Sequence, residues 1–181
     1  MLRFIALTAA LVLCATALPV AADWWPADVA KANHALETAK SYRIITTEGP
    51  SVTTVEVQRP DRERVSMNGQ VIVRVGERVW LRNPGEPWRD VSNMGAGRLA
   101  ALGDLALPPN AAAMREADAS DGVAPAHLYH IIYPSGTPQL RWYVRVSDGR
   151  LHAIRRAGKN YPVTATIDRY DSVPPIKAPL P

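Results

Sequence analysis

Apolar and polar side chains alternate with period two over most of the chain from Tyr42 onward, whereas before it the period is helical. Val29, Ala32, Leu36 and Ala39 recur on one helical face, so Asp23–Lys40 is predicted as one helix. Pro26 suits its first turn, where a missing N–H costs nothing. Asp28 sits near the positive helix end and Lys40 near the negative end. Strands are predicted over Tyr42–Glu48 and Val52–Arg59 around Gly49-Pro50, then over Arg62–Met67 and Val71–Val75 around Asn68-Gly69. Asn-Gly is the strongest short hairpin signal. Arg78–Arg82 follows the Gly76-Glu77 turn, and Trp88–Val91 is a short strand after Asn83-Pro84-Gly85.

The middle of the chain breaks this rhythm. Met94–Leu107 is rich in Ala and Leu, with Met94, Leu99, Leu102 and Leu105 on one stripe, and is predicted as a short helix. Gly95, Gly97 and Gly103 each weaken it by about 1 kcal/mol relative to Ala, and Pro108-Pro109 end it. Asn110–Ala126 reads as a loop with a helical turn at Ala111–Glu116. Strands resume at His127–Tyr133, Leu140–Val146, Leu151–Arg156 and Tyr161–Tyr170. Leu140, Trp142, Val144 and Val146 share one face, and Val163, Ala165 and Ile167 point inward. About nine strands with two helices predict an α+β domain on a single antiparallel sheet, its buried face covered by those helices.

The two ends are set apart from this domain. Met1–Ala22 carries Arg3, an apolar run from Phe4 to Leu18 and the small residues Val20-Ala21-Ala22, the pattern of a cleaved secretory signal. Cleavage after Ala22 leaves 159 of the 181 residues, enough for one domain. Cys14 is the sole cysteine, and bulky Leu13 before it argues against lipidation, so it leaves with the signal. The layout is therefore 1–22 signal, 23–172 domain and 173–181 proline-rich tail, expected to lie extended on the surface or fray. A chain without cysteine has no disulfide, thiolate nucleophile or thiolate metal site.

Charge and motifs narrow the function mainly by exclusion. The formal charge is +4, but basic residues are interspersed with acidic ones, as in Asp61-Arg62-Glu63-Arg64, which argues against a nucleic-acid partner. His127 and His130 lie three apart on a strand and so point to opposite faces; no metal or other cofactor is expected. Asp118–Gly122 lacks the ligands of a calcium loop and reads as an exposed turn. No nucleophile elbow, zinc helix or phosphate loop appears, so the reading is non-enzymatic.

The order of parts resembles the LolA/LolB-like superfamily of periplasmic lipoprotein carriers. The matching pieces are a signal peptide, a helix ending in Ser41-Tyr42, a meander with Pro60-Asp61-Arg62 and Val75-Gly76-Glu77-Arg78-Val79-Trp80, and a middle helical segment. Trp142-Tyr143-Val144-Arg145-Val146-Ser147-Asp148-Gly149, Ile167-Asp168-Arg169-Tyr170-Asp171 and the proline-rich end complete the match. The resemblance is diffuse and spans nearly the whole mature chain. It implies a curved half-barrel sheet, helices on its concave side and a hydrophobic cavity between them for acyl chains. It also implies an arginine that holds a lid, which cannot be placed among Arg43, Arg62 and Arg64.

The mature chain has no Phe but five Trp and six Tyr, side chains with an apolar body and a polar tip that suit a cavity wall as well as an ordinary core. Candidate cavity residues are Trp80, Trp88, Met94, Leu99, Leu102, Ile132, Trp142 and Val144. Trp80 depends on a turn. Gly76 favours a two-residue loop setting Val73 across from Trp80, the reading adopted, whereas patterning favours three residues and the opposite face. The expected protein is a periplasmic, monomeric binder or carrier of a lipid, acyl chain or lipoprotein, with a membrane-bound envelope protein as a further partner. The alternative is an envelope sensor or interaction domain whose cavity its own helices fill.

Overall fold

The computed structural model describes residues 25–94, 107, 110–120, 122–133, 140–157 and 160–179. The expected signal, Trp24 and nearly all of the expected Met94–Leu107 helix, including Leu99 and Leu102, lie outside the described residues. Helix α1 (Ala27–Thr38) precedes strands β1 (Ser41–Glu48), β2 (Ser51–Gln58), β3 (Arg62–Met67), β4 (Gln70–Val75), β5 (Arg78–Arg82) and β6 (Arg89–Asp90). A single 3-10 turn, Ser92–Met94, follows, then β7 (Ala112–Ser120), β8 (Pro125–Ile132), β9 (Leu140–Arg145), β10 (Leu151–Arg156) and β11 (Val163–Asp168).

All eleven strands form one sheet in the order β6-β5-β4-β3-β2-β1-β11-β10-β9-β8-β7. Every pairing is antiparallel. The meander runs outward from β1 in one direction, and the second half of the chain returns from the far edge to close against β1 through β11. The sheet stays open, with β6 and β7 as its edges.

Register fixes a helix face and a back face. On the helix face Ile72, Val65, Val55, Ile44 and Ile167 stand opposite one another in sequence across five strands. Ala165, Ile154, Trp142 and Tyr129 continue the row across β11 to β8. These residues belong to the main apolar core, together with Val29, Ala32 and Leu36 of α1. The four apolar positions that predicted the helix, Val29, Ala32, Leu36 and Ala39, are all buried. Burying a Val or Leu side chain stabilises by about 1.5–3 kcal/mol, so this stripe is what holds a helix of twelve residues to the sheet. Pro26 stands just before α1 and its carbonyl accepts from Ala30 N. The helix stops where Ala39 turns extended, and Lys40 N is taken up by the Asp171 carboxylate at 2.7 Å.

One expectation fails. Ala112–Ser120 is a strand, not a loop with a helical turn, and Asp118–Ser120 belongs to it rather than to an exposed turn. Most of its side chains are exposed because β7 is an edge, and its pairing with β8 shifts between Arg115 and Asp118, so no period-two pattern survives in the sequence. Of the two alternatives for the tail, the structure has it lying along the surface, tied down rather than frayed. Val173 N donates to Ser41 Oγ, Ile176 N to Gln58 Oε1, and Arg62 donates to the Ile176 carbonyl. Ile176 is wholly buried on the back face against Val73 and Trp80.

Candidate functional site

The Gly76-Glu77 turn has two residues. Gly76 takes a positive φ of 60°, and Val73 stands opposite Trp80 with Val75 opposite Arg78. The adopted register is therefore present, but it does not bring Trp80 to the helix face. Register decides which residues share a side; which side meets the helix is decided by Ile72, which continues the core row. Trp80 lies on the back face beneath Ile176, and Trp88 packs beside it. Arg78 and Arg82 lie over the Trp80 and Trp88 rings at 5.1 and 4.8 Å.

The other candidates divide between the faces. Trp142 and Val144 are fully buried in the main core. Ile132 alternates with core residue Ile131 and so points to the back face. Met94 ends the 3-10 turn beside β5, where Ser92 Oγ accepts from Val79 N at 3.0 Å. Arg43, Arg62 and Arg64 all project from the back face, opposite Ile44, Val65 and their neighbours. There Arg43 makes a two-pronged ion pair with Asp168 at 2.7 and 2.5 Å, and Arg64 pairs with Glu56 at 3.2 Å.

What the structure assembles is an apolar seam between α1 and β8–β10. Trp142 forms its floor with Val144, Tyr129, Leu151 and Ile154, and α1 roofs it. A polar frame ties the helix at several points. The Tyr129 hydroxyl donates to the Asp28 carboxylate, Trp25 Nε1 donates to the Ala111 carbonyl at 2.6 Å, and Arg59 reaches the Leu36 carbonyl at 3.3 Å. Buried Asn33 donates to Glu37 at 2.9 Å and accepts from Leu107 N at 2.8 Å. Burial, reinforced by Asp28, pushes the Tyr129 phenol above its usual range and keeps it a donor. Asp118, next to this frame, accepts from Arg115 at 2.6 Å and from His127 at 2.8 Å, and these bonds hold its carboxyl below the usual value.

One group in the seam is left over. Trp142 Nε1 is buried with no hydrogen-bond partner among the described residues. A buried indole N–H ordinarily finds one, and leaving it unpaired costs about 1–3 kcal/mol. A second unexpected feature lies further along the same face. Glu63, almost fully buried, pairs with Arg74 Nε at 3.1 Å.

Asn33, Tyr129, Glu63 and Arg74 were not singled out by sequence. Asn33 carried the one usable signal, a polar residue between Ala32 and Leu36 on an otherwise apolar helical face. His127 and His130 project to opposite faces: His127 meets Asp118 beside the helix frame, and His130 meets Glu116 on the back.

No family model and no curated protein matches this sequence. The fold does have solved counterparts. The Mycobacterium tuberculosis lipoprotein LppX aligns with a TM-score of 0.60 at 9% identity, covering 83% of this chain and 97% of its own. LprF from Mycobacterium bovis aligns with a TM-score of 0.54 at 10% identity, covering 90% of this chain and 98% of its own. A LolA superfamily protein from Nitrosomonas europaea also aligns, at a TM-score of 0.29 that carries no weight. At these identities the likeness is one of fold: an open half-barrel, a single antiparallel sheet with one described helix laid on it.

Proposed function

We propose that this chain is an exported, non-catalytic binding protein of the cell envelope, and that its ligand is a lipid or acyl chain held in the seam between α1 and β8–β10. The observation that carries the reading is Trp142: a fully buried indole on an apolar floor whose N–H has no partner among the described residues. An acyl chain lying on this floor places an ester or carboxyl oxygen against that N–H, so one ligand supplies both the apolar contact and the missing acceptor. The leader pattern of Met1–Ala22 supports export to the periplasm. The two well-aligned folds, one of them a lipoprotein, support an envelope setting.

A second reading has its own support. Val29, Ala32 and Leu36 sit on the seam fully buried, so the chain's own helix fills it, as expected of a sensor or interaction domain that uses the fold without a lipid. Native mass spectrometry of protein gently released from the periplasm separates the two. The binding reading predicts a mass increment of a lipid or fatty acid that is lost on organic extraction. Bare protein, together with no micromolar binding of a fluorescent fatty acid, overturns it in favour of the sensor.

A further inference from the structure

The back face of β8–β10 carries a second concavity of about 610 Å³, on the other side of the sheet from Trp142. His130, Arg141, Tyr143, Arg155, Arg156 and Pro162 line it. Its volume is that of a small-molecule site, several times what one oxyanion needs. Two guanidinium groups, Arg141 and Arg155, and the His130 imidazole project there from three adjacent strands, while Arg156, opposite Val163, turns toward the helix face and borders only the rim.

The cluster is ordered before any ligand arrives. Arg155 lies over the Tyr143 ring at 4.7 Å and donates to its hydroxyl at 3.2 Å. Glu116 holds Arg141 through Nε at 3.3 Å and faces His130 Nδ1 at 3.5 Å. Glu116 is the carboxylate that touches this cluster among the described residues. Tyr143, Pro162 and Ala157 add an apolar wall. At the same end of the sheet Tyr161, Val52 and Met67 expose 52, 49 and 43% of their surface around the β1–β2 turn.

We infer that this back-face cleft is a binding site for a phosphate group carried on a carbon body, the phosphate taken by Arg141 and Arg155 and the body lying against Tyr143 and Pro162. Guanidinium forks match phosphate oxygens in pairs, and two forks converging on one point suit a phosphate better than a single carboxylate. The site is independent of the apolar seam because the sheet separates them. A phospholipid headgroup and a small soluble phosphate share this chemistry.

Calorimetric titration of the mature protein tests the inference. The probes are monomeric dihexanoyl phosphatidic acid and inorganic phosphate. The expected result is saturable binding that Arg141→Gln/Arg155→Gln weakens at least about tenfold, the loss of one or two charge-assisted hydrogen bonds. Arg78→Gln/Arg89→Gln, the same charge change at the far edge, leaves binding intact. Phosphatidic acid bound about tenfold more tightly than inorganic phosphate identifies a lipid headgroup; equal affinities identify a small soluble phosphate. Absence of binding by both probes overturns the inference. So does affinity that survives Arg141→Gln/Arg155→Gln in a protein of unchanged circular dichroism, or an equal loss in the far-edge pair.

Discussion

Trp142 and Trp80 stand on antiparallel strands of one sheet, yet they are buried by different means. Trp142 is covered by a regular helix whose apolar stripe meets a row of core residues from both halves of the sheet. Trp80 is covered by an irregular, proline-rich strap that buries Val173 and Ile176 and sets Ile176 against it. The helix brings a periodic face that sequence alone reveals. The strap works through backbone bonds at Val173 and Ile176 and one aliphatic anchor, so nothing periodic announces it. A half-barrel has two faces to cover, and among the described residues only one is covered by an amphipathic element.

The contrast breaks first at Trp142→Ala, where the expected loss is about 3–5 kcal/mol in urea unfolding, because the rigid floor cannot collapse around the cavity. Ile176→Ala is expected to cost about 2 kcal/mol, the low end for an Ile truncation, because the strap can settle onto Trp80. Its Trp emission should shift to the red. An Ile176→Ala loss equal to that of Trp142→Ala would show the strap to be as rigid as the helix. Asn33→Ala is expected to cost about 1–2 kcal/mol by stranding the Leu107 N–H. A neutral Asn33→Ala would remove the polar frame from the account of how α1 is held.

The smallest effect concerns Asp90, across from Trp80 at the β6 edge. Hydrogen bonds from the Ser92 hydroxyl and backbone, with Arg78, hold its carboxyl at about 2. A folded value below the unfolded carboxylate value near 3.9 stabilises above that pH and is lost as pH falls through the folded value. The window is therefore about pH 4 to pH 2, and carboxyl NMR should show Asp90 titrating near its lower end. A midpoint near 4 would mean the Ser92 and Arg78 contacts are absent in solution.

These differences explain what the sequence disclosed. The meander, its Asn68-Gly69 and Gly76-Glu77 turns, the α1 stripe and the inward face of Trp142 were legible because each is a local pattern read against one period. Strand β7 was not, since an edge strand exposed on both sides and shifted against β8 has no alternation to read. Trp80 shows the subtler failure. Its turn and register were inferred correctly, but its face follows from Ile72 meeting Val65, Val55 and Ile44 across three strands, a non-local fact. Of the residues assigned to the cavity, Trp142 and Val144 reach the helix-face core, whereas Trp80, Trp88 and Ile132 lie on the back.

The central claim is that an acyl chain lies against Trp142. Quenching of tryptophan emission by 9,10-dibromostearic acid measures this directly. The account predicts saturable quenching in the mature protein that disappears in Trp142→Phe and persists in Trp80→Phe. Quenching that survives Trp142→Phe, or that Trp80→Phe abolishes, would contradict it.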